Sequence, residues 1–221
     1  MKYSVKKIRT KRMRNKFSEL EEDYAMLGGL AEETDPREPL LKSIKNRLPW
    51  LSMLLVIGMG VSGVIGMFEK ITAELPMIVS FQSLILGMAG NTGTQSLAVT
   101  IRSLLDERLG AKQKGLLILR EAKIGAINGL LLGTLSFFAI GAYLRLVRQA
   151  PTALAFSVSF CTGVAMSISM LLSSVSGSAI PIFFKKIKID PAVASGPFIT
   201  TINDLVAVVT YYGIAWAMLC E

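Results

Sequence analysis

From residue 48 onward the chain is a succession of long apolar runs separated by short polar links. The first run covers about 48–68, and Gly58, Gly60, Ser62, Gly63 and Gly66 give it a small-residue face suited to close helix packing. A link with Glu69, Lys70 and Glu74 precedes the second run, from near Pro76 to about Ile101, which is interrupted by the polar stretch GMAGNTGTQS at 87–96. After a charged segment at 102–123 comes a third run at about 124–144, closed by Arg145 and Arg148. The fourth opens at Pro151 and reaches Phe184, with a Ser/Gly-rich stretch at 173–178. It is too long for a helix standing perpendicular to a bilayer, which predicts tilt or a break near that stretch. Lys185, Lys186 and Lys188 end it, and the fifth run is 191–219. Each run reaches the roughly 20 residues that a membrane helix requires.

With 52% hydrophobic residues and a mean hydropathy of +0.51, the chain is too apolar for a soluble domain. The expected fold is an all-α membrane protein, with an arm at 1–47 and a pore domain of five transmembrane helices at 48–221. The arm is polar: 1–16 holds eight Lys/Arg and no acid, and 19–38 holds eight acids and one Arg. It reads as a disordered cytosolic arm whose basic block can lie on anionic headgroups of the membrane lipid. It lacks the aromatic interleaving of a nucleic-acid surface, so no nucleic-acid partner is expected. It is not a signal peptide, because the first apolar run starts too late and is too long. Pro36 and Pro39, followed by Leu40, Leu41, Ile44 and Leu48 at helical spacing, predict a short amphipathic helix near 37–47. With the N-terminus inside, the three cytoplasmic segments hold twelve, six and three Lys/Arg, against three in total outside. The positive-inside rule therefore predicts a cytoplasmic N-terminus and an external C-terminus in a multi-pass protein of the plasma (inner) membrane.

Two polar stretches inside apolar runs carry the candidate chemistry. Asp204 is an acid set well inside a long hydrophobic run, and a carboxylate at the bilayer centre costs about 2.5–3.5 kcal/mol on insertion scales, so it marks an ion path by default. On a helix Thr200 and Thr201 precede it by four and three residues, and Ala207, Val208 and Tyr211 follow at three, four and seven. One face then reads Thr, Asp, Ala, Tyr, with Asn203 at its edge. The Ser195-Gly196-Pro197 lead-in can free backbone carbonyls toward a wet cavity. The second stretch brings Gly90, Asn91, Thr92, Gly93, Thr94 and Gln95 together. It is not a Walker A loop. By spacing alone it serves equally as a pore lining, where amide and hydroxyl oxygens orient water or ions, or as a packing motif joined by polar side chains.

One carboxylate per chain suggests two copies about a two-fold axis, placing two carboxylates across one pathway. Hard divalent cations take oxygen ligands, and Mg²⁺ keeps several waters, so a wide pore contacting its water shell suits it. The chain has no histidine, and Cys161 and Cys220 form no disulfide framework, so sites for softer metals and the usual proton relay are missing. Membrane-embedded hydrolases or transferases need further acids, a His or an activated Ser beside the carboxylate; Asp204 has none, and no enzyme is expected.

GNTGTQ at 90–95, followed by Ile101-Arg102, resembles the GGNTGNQ-type signature of the MgtE family of magnesium channels. DPAVASGP at 190–197, then TIND at 201–204 and Tyr211, is similar to that family's last membrane helix. The likeness extends back through RLPW at 47–50 and the acidic linker at 32–39 and covers roughly 20–219. It implies a homodimeric Mg²⁺ channel of five helices per subunit, with Asp204 holding a hydrated ion, 91–95 lining the same path, and the helix near 39–48 acting as a plug at the cytoplasmic mouth. Thr94 stands where the family has a second Asn, Ala89-Gly90 replaces Gly-Gly, and Gly196 replaces an Asn often found before the fifth-helix proline. The family's cytosolic superhelical and CBS domains have no counterpart in the arm. The expectation is therefore a subunit that is constitutively open, or gated by the plug helix and basic arm or by a separate regulatory subunit. Two further functions fit the same resemblance: a Na⁺- or H⁺-coupled Mg²⁺ exchanger, and a half-pore subunit that needs a homologous chain.

Overall fold

The computed structural model describes residues 39–104, 110–188 and 196–219. All regular structure among them is helical: α1 (Leu40–Gly66), a short α2 (Glu69–Glu74), α3 (Pro76–Leu104), α4 (Ala111–Leu146), α5 (Thr152–Lys186) and α6 (Gly196–Leu219). Helices α1, α4, α5 and α6 are long and apolar enough to cross a membrane. Helix α3, at 29 residues, matches them in length but carries the polar stretch. The basic arm, the acidic segment and the lead-in residues Pro191 and Ser195 lie outside the described residues.

Three expected boundaries move. Residues 40–48 are not a separate helix but the first turns of α1, which continues through Pro49. An interior proline removes one backbone hydrogen bond and bends a helix without having to end it. The helix of the second run, by contrast, continues as expected through the polar stretch at 87–96. Its hydroxyls bond back to the helix's own carbonyls, Thr92 Oγ1 to Met88 O (2.8 Å) and Thr94 Oγ1 to Asn91 O (2.9 Å), and so add no competing backbone conformation. Nor does α5 break at 173–178 or at Pro181. Ser178 Oγ donates to Ser174 O at 2.8 Å, and the small side chains there are buried against neighbouring helices that hold the segment helical. The charged segment also turns out to be largely helix, because α4 begins at Ala111 and runs for 36 residues. At 1.5 Å per residue that is about 54 Å, well beyond a hydrocarbon core of about 30 Å, so one end of α4 projects from it.

Helix α5 is the centre of the bundle, packing on α4, α3 and α6, while α1 packs chiefly on α6. Its small residues explain why. On α4, Gly125, Gly129 and Gly133 recur every four residues and so share one face. A Cβ on Gly125 would stand 2.5 Å from Ser174 Cβ, and one on Gly129 would stand 2.6 Å from Ser167 O. Ser167 Oγ lies 2.9 Å from the carbonyls of both Gly129 and Gly163. In lipid, where apolar burial gives helices little reason to associate, such close approach and interhelical hydrogen bonding supply the attraction. The small-residue face of α1 behaves differently: a Cβ on Gly58, Gly60, Gly63 or Gly66 would meet nothing within 4 Å among the described residues.

Gly129→Leu should therefore wedge α4 from α5 and cost about 1–3 kcal/mol of stability. Gly115→Leu, at an α4 glycine where a Cβ would meet nothing within 4 Å among the described residues, should not lower stability and by helix propensity should raise it by up to about 1 kcal/mol. Thermal unfolding of the two purified variants beside wild type measures the difference.

Candidate ion site at the crossing of α3 and α6

Helix α6 turns Ile199, Asn203, Ala207, Val208, Tyr211, Tyr212 and Ala215 into the bundle. The last turns are tied to the start of α3, with Tyr211 Oη donating to Ile78 O (2.8 Å) and Tyr212 Oη to Gln82 Oε1 (2.5 Å). Phe68 stacks on Tyr212 at 5.4 Å between ring centroids. Nearer its start α6 is held by Asn203, which is fully buried. Ser176 Oγ of α5 donates to Asn203 Oδ1 at 2.5 Å. The Asn203 amide nitrogen lies where a Cβ on Gly93 of α3 would be, and a Cβ on Gly177 of α5 would stand 3.1 Å from Gly93 Cα. One side chain thus fills the junction of three helices: glycine at 93 leaves room for it, and glycine at 177 lets the α5 backbone come up against Gly93.

Asp204 is the next residue. It is half-buried, as are Thr200 and Thr201. Among the described residues it makes no hydrogen bond or ion pair. Thr200, one turn earlier, puts its Cγ2 at 3.0 Å from the position of a Cβ on Gly90, so the carboxylate leaves α6 at the level of the α3 polar stretch. Thr201 Oγ1 is already committed to Pro197 O at 2.9 Å.

The α3 stretch divides between two surfaces. Gly90, Thr92 and Gly93 are buried against α5 and α6, Thr94 is half-buried, and Asn91 and Gln95 are exposed. The two readings of this stretch therefore apply to different residues: the glycines pack helices, and the two amides face away from their own subunit's core. Ala207 is fully buried beside Asn203, on the side of α6 facing its own bundle. The expected face of Thr, Asp, Ala and Tyr is thus two faces, with Asn203, Ala207 and Tyr211 inside and Asp204 at the margin.

Two features were missed in the sequence. Glu121 of α4 is only 4% exposed, a second carboxylate removed from solvent. Its spacing of four residues from Gly125 places it on the buried glycine stripe. Its backbone carbonyl accepts Ser174 Oγ at 2.7 Å, and Ser174 Oγ lies 2.7 Å from Ser96 Oγ, so a hydroxyl bridge joins α3, α5 and α4 behind the site. The other feature is a set of buried polar atoms without partners among the described residues, including Thr100 Oγ1, Ser169 Oγ, Ser173 Oγ and Asn203 Nδ2. Among the described residues no three acids, cysteines or histidines gather into a metal cage. A cation here would meet one carboxylate per chain and neutral oxygens, a donor set suited to an ion that retains its water.

The profile of the MgtE family, described as divalent cation transporter, matches residues 82–214. The Magnesium transporter MgtE of Enterococcus faecalis is 38% identical over 193 residues, 87% of this chain and 40% of that protein. That of Bacillus subtilis is 35% identical over 205 residues, 91% of this chain and 43% of the relative. That of Thermus thermophilus is 28% identical over 173 residues, 78% of this chain and 36% of the relative. The chain thus spans less than half the length of the curated relatives it matches. The matched segment contains both polar stretches and the crossing that joins them. With four helices able to cross a membrane, this multi-pass membrane protein belongs to the MgtE family of divalent cation transporters.

Proposed function

We propose that this chain forms the membrane pathway of a Mg²⁺ channel, passing the ion in hydrated form beside Asp204. The observation that carries the proposal is the half-buried carboxylate, without a partner among the described residues, on a membrane-length helix and level with the exposed amides of α3. The names of the relatives, magnesium transporters, supply the ion. All five long helices span the inner membrane, with α3 as the polar one among them, the N-terminus cytoplasmic and the C-terminus outside. Two copies pair as a homodimer. Asn91 and Gln95 then face the partner across the pathway, and the unfilled glycine face of α1 receives a helix of the second copy. In this arrangement Asn203 positions Asp204: its wedge between Gly93 and Ser176 fixes the rotation of α6, and so the direction in which the carboxylate points.

Mg²⁺ uptake into liposomes containing the purified protein, with no added Na⁺ or proton gradient, tests the ion site. Asp204→Asn should lower uptake by about 10–10³-fold, the range over which charge focusing raises local ion concentration and entry rate. Equal uptake in wild type and mutant removes Asp204 from the pathway, and uptake that requires a Na⁺ or proton gradient replaces the channel with a coupled exchanger.

The positioning role makes a separate claim. Gly93→Ala places a methyl group on the Asn203 amide. It should reduce Mg²⁺ uptake while the protein still inserts and melts cooperatively. An Asn203→Ser replacement in the Gly93→Ala background, which clears the overlap, should recover part of the lost uptake.

For the dimer, Asn91→Cys should form an oxidative cross-link to a species of twice the mass, whereas Leu131→Cys, on an exposed apolar face of α4, should not. Absence of the Asn91→Cys cross-link would place the α3 amides away from the two-fold axis.

A further inference from the structure

A groove of about 340 Å³, lined only by α4 and α5, opens on the outside of their packed pair. Its floor is the contact of Gly133 with Gly163, where the two backbones meet too closely for any side chain. Its walls are phenylalanines. Phe137 meets the rings of Phe138, Phe156 and Phe160 edge-on, at 5.0, 5.6 and 6.3 Å between centroids. Phe156 and Phe160 stack at 6.0 Å with their planes within 3°. The hydroxyls along the groove offer no free proton: Thr134 Oγ1 donates to Leu130 O at 2.8 Å, and Ser167 Oγ bonds to the carbonyls of Gly129 and Gly163. The groove therefore suits a long apolar guest and offers a polar one no hydrogen-bond donor from these hydroxyls.

Beyond one end of the groove, about 12 Å further along α4, lie two arginines. Leu130, Thr134 and Phe137 lie three and four residues apart on one stripe of α4. Continued at that spacing, the stripe passes Gly141 and reaches Arg145, with Arg148 just beyond the helix end. Both arginines are exposed. Arg145 is held in place by a hydrogen bond from Nη1 to Ala150 O at 2.6 Å, which leaves its other donors free. The sequence contains no acid between Lys123 and Asp190, so the turn between α4 and α5 carries no acid of its own. Arg145 and Leu130 are fifteen residues apart, a rise of about 22 Å, and one leaflet of hydrocarbon is about 15 Å deep. A chain that starts at the arginines and follows the groove thus passes the phenylalanines on its way toward the bilayer centre.

We infer that this groove holds an acyl chain of an anionic phospholipid, with its phosphate at Arg145 and Arg148. Guanidinium groups bind phosphate through paired, charge-assisted hydrogen bonds, and the phenylalanine walls hold the tail. The bound lipid braces the α4–α5 hairpin from outside, as α3 and α6 brace α5 from inside.

Native mass spectrometry of the purified protein tests this, offering phosphatidylglycerol and phosphatidylcholine with identical acyl chains in equal amounts. Wild type should retain phosphatidylglycerol several-fold over phosphatidylcholine. Arg148→Gln should bring the two lipids toward parity, and Arg148→Lys should keep the preference. Thr134→Phe, which fills the groove from an exposed position and so leaves the fold undisturbed, should lower retention of both lipids. Glycerol phosphate, a headgroup without a tail, should not bind. Equal retention of the two lipids by wild type, unchanged retention in Thr134→Phe, or binding of glycerol phosphate as tight as that of the lipid would each overturn the inference.

Discussion

The contact of Gly93 with Gly177, and the Asn203 amide wedged beside it, is the constraint on which the rest of the bundle depends. In a bilayer two helices gain little by burying apolar surface against each other, since lipid tails serve as well. What holds α3, α5 and α6 together must be close backbone approach and hydrogen bonds that lipid cannot replace. Both occur within one turn here: two glycines allow the approach, and Ser176 and Asn203 supply the bond. The same device recurs a layer away, where Ser96, Ser174 and the Glu121 carbonyl link α3 through α5 to α4. Because Asn203 sits inside this junction, the adjacent residue has its direction set by the packing of three helices.

The outline of the fold was legible because long apolar runs and their lysine-rich ends are a strong signal. The breaks were not. Glycine and serine inside a run look like interruptions when read alone, since in water they lower helix stability. In α3 and α5 the same residues are what allow neighbours to come close, and that contact keeps the helix intact through 87–96 and 173–178. Proline does not break these helices either: Pro49 and Pro181 are both interior to continuous helices. The relevant cue was regular spacing: Gly125, Gly129 and Gly133 mark one stripe, and Glu121 belongs to it by the same count.

At the site, Asp204 stood out because an acid in an apolar run is costly. The roles of its neighbours did not, since a face drawn through Asp204 makes Ala207 and Tyr211 its companions. A face drawn instead through Ile199, Asn203, Ala207 and Tyr211, each four residues on, is the one the helix buries. An asparagine on an otherwise apolar stripe was the available sign that a polar group belongs to the packing. On α3 the alternation between buried Gly90, Thr92 and Gly93 and exposed Asn91 and Gln95 follows from the helical turn, but which side met protein depended on where α5 and α6 lie.

The energetics of Asp204 reach beyond one subunit. An ionised carboxylate within a bilayer persists only if something compensates it. Its near neighbours on α6 offer little: Thr201 has given its proton to a backbone carbonyl, and the described cations lie toward the helix ends, at Lys45, Arg47, Arg102, Lys123 and Lys185 among others. Lys185 itself is engaged with the carbonyl of Leu104, at the end of α3. Among the described residues nothing supplies that compensation, which leaves water, a cation or a proton on the carboxyl itself to meet it. The proposed ion path beside Asp204 would bring both water and cations to it. The packing that makes Asn203 rigid is what allows the residue beside it to stand without a partner among the described residues.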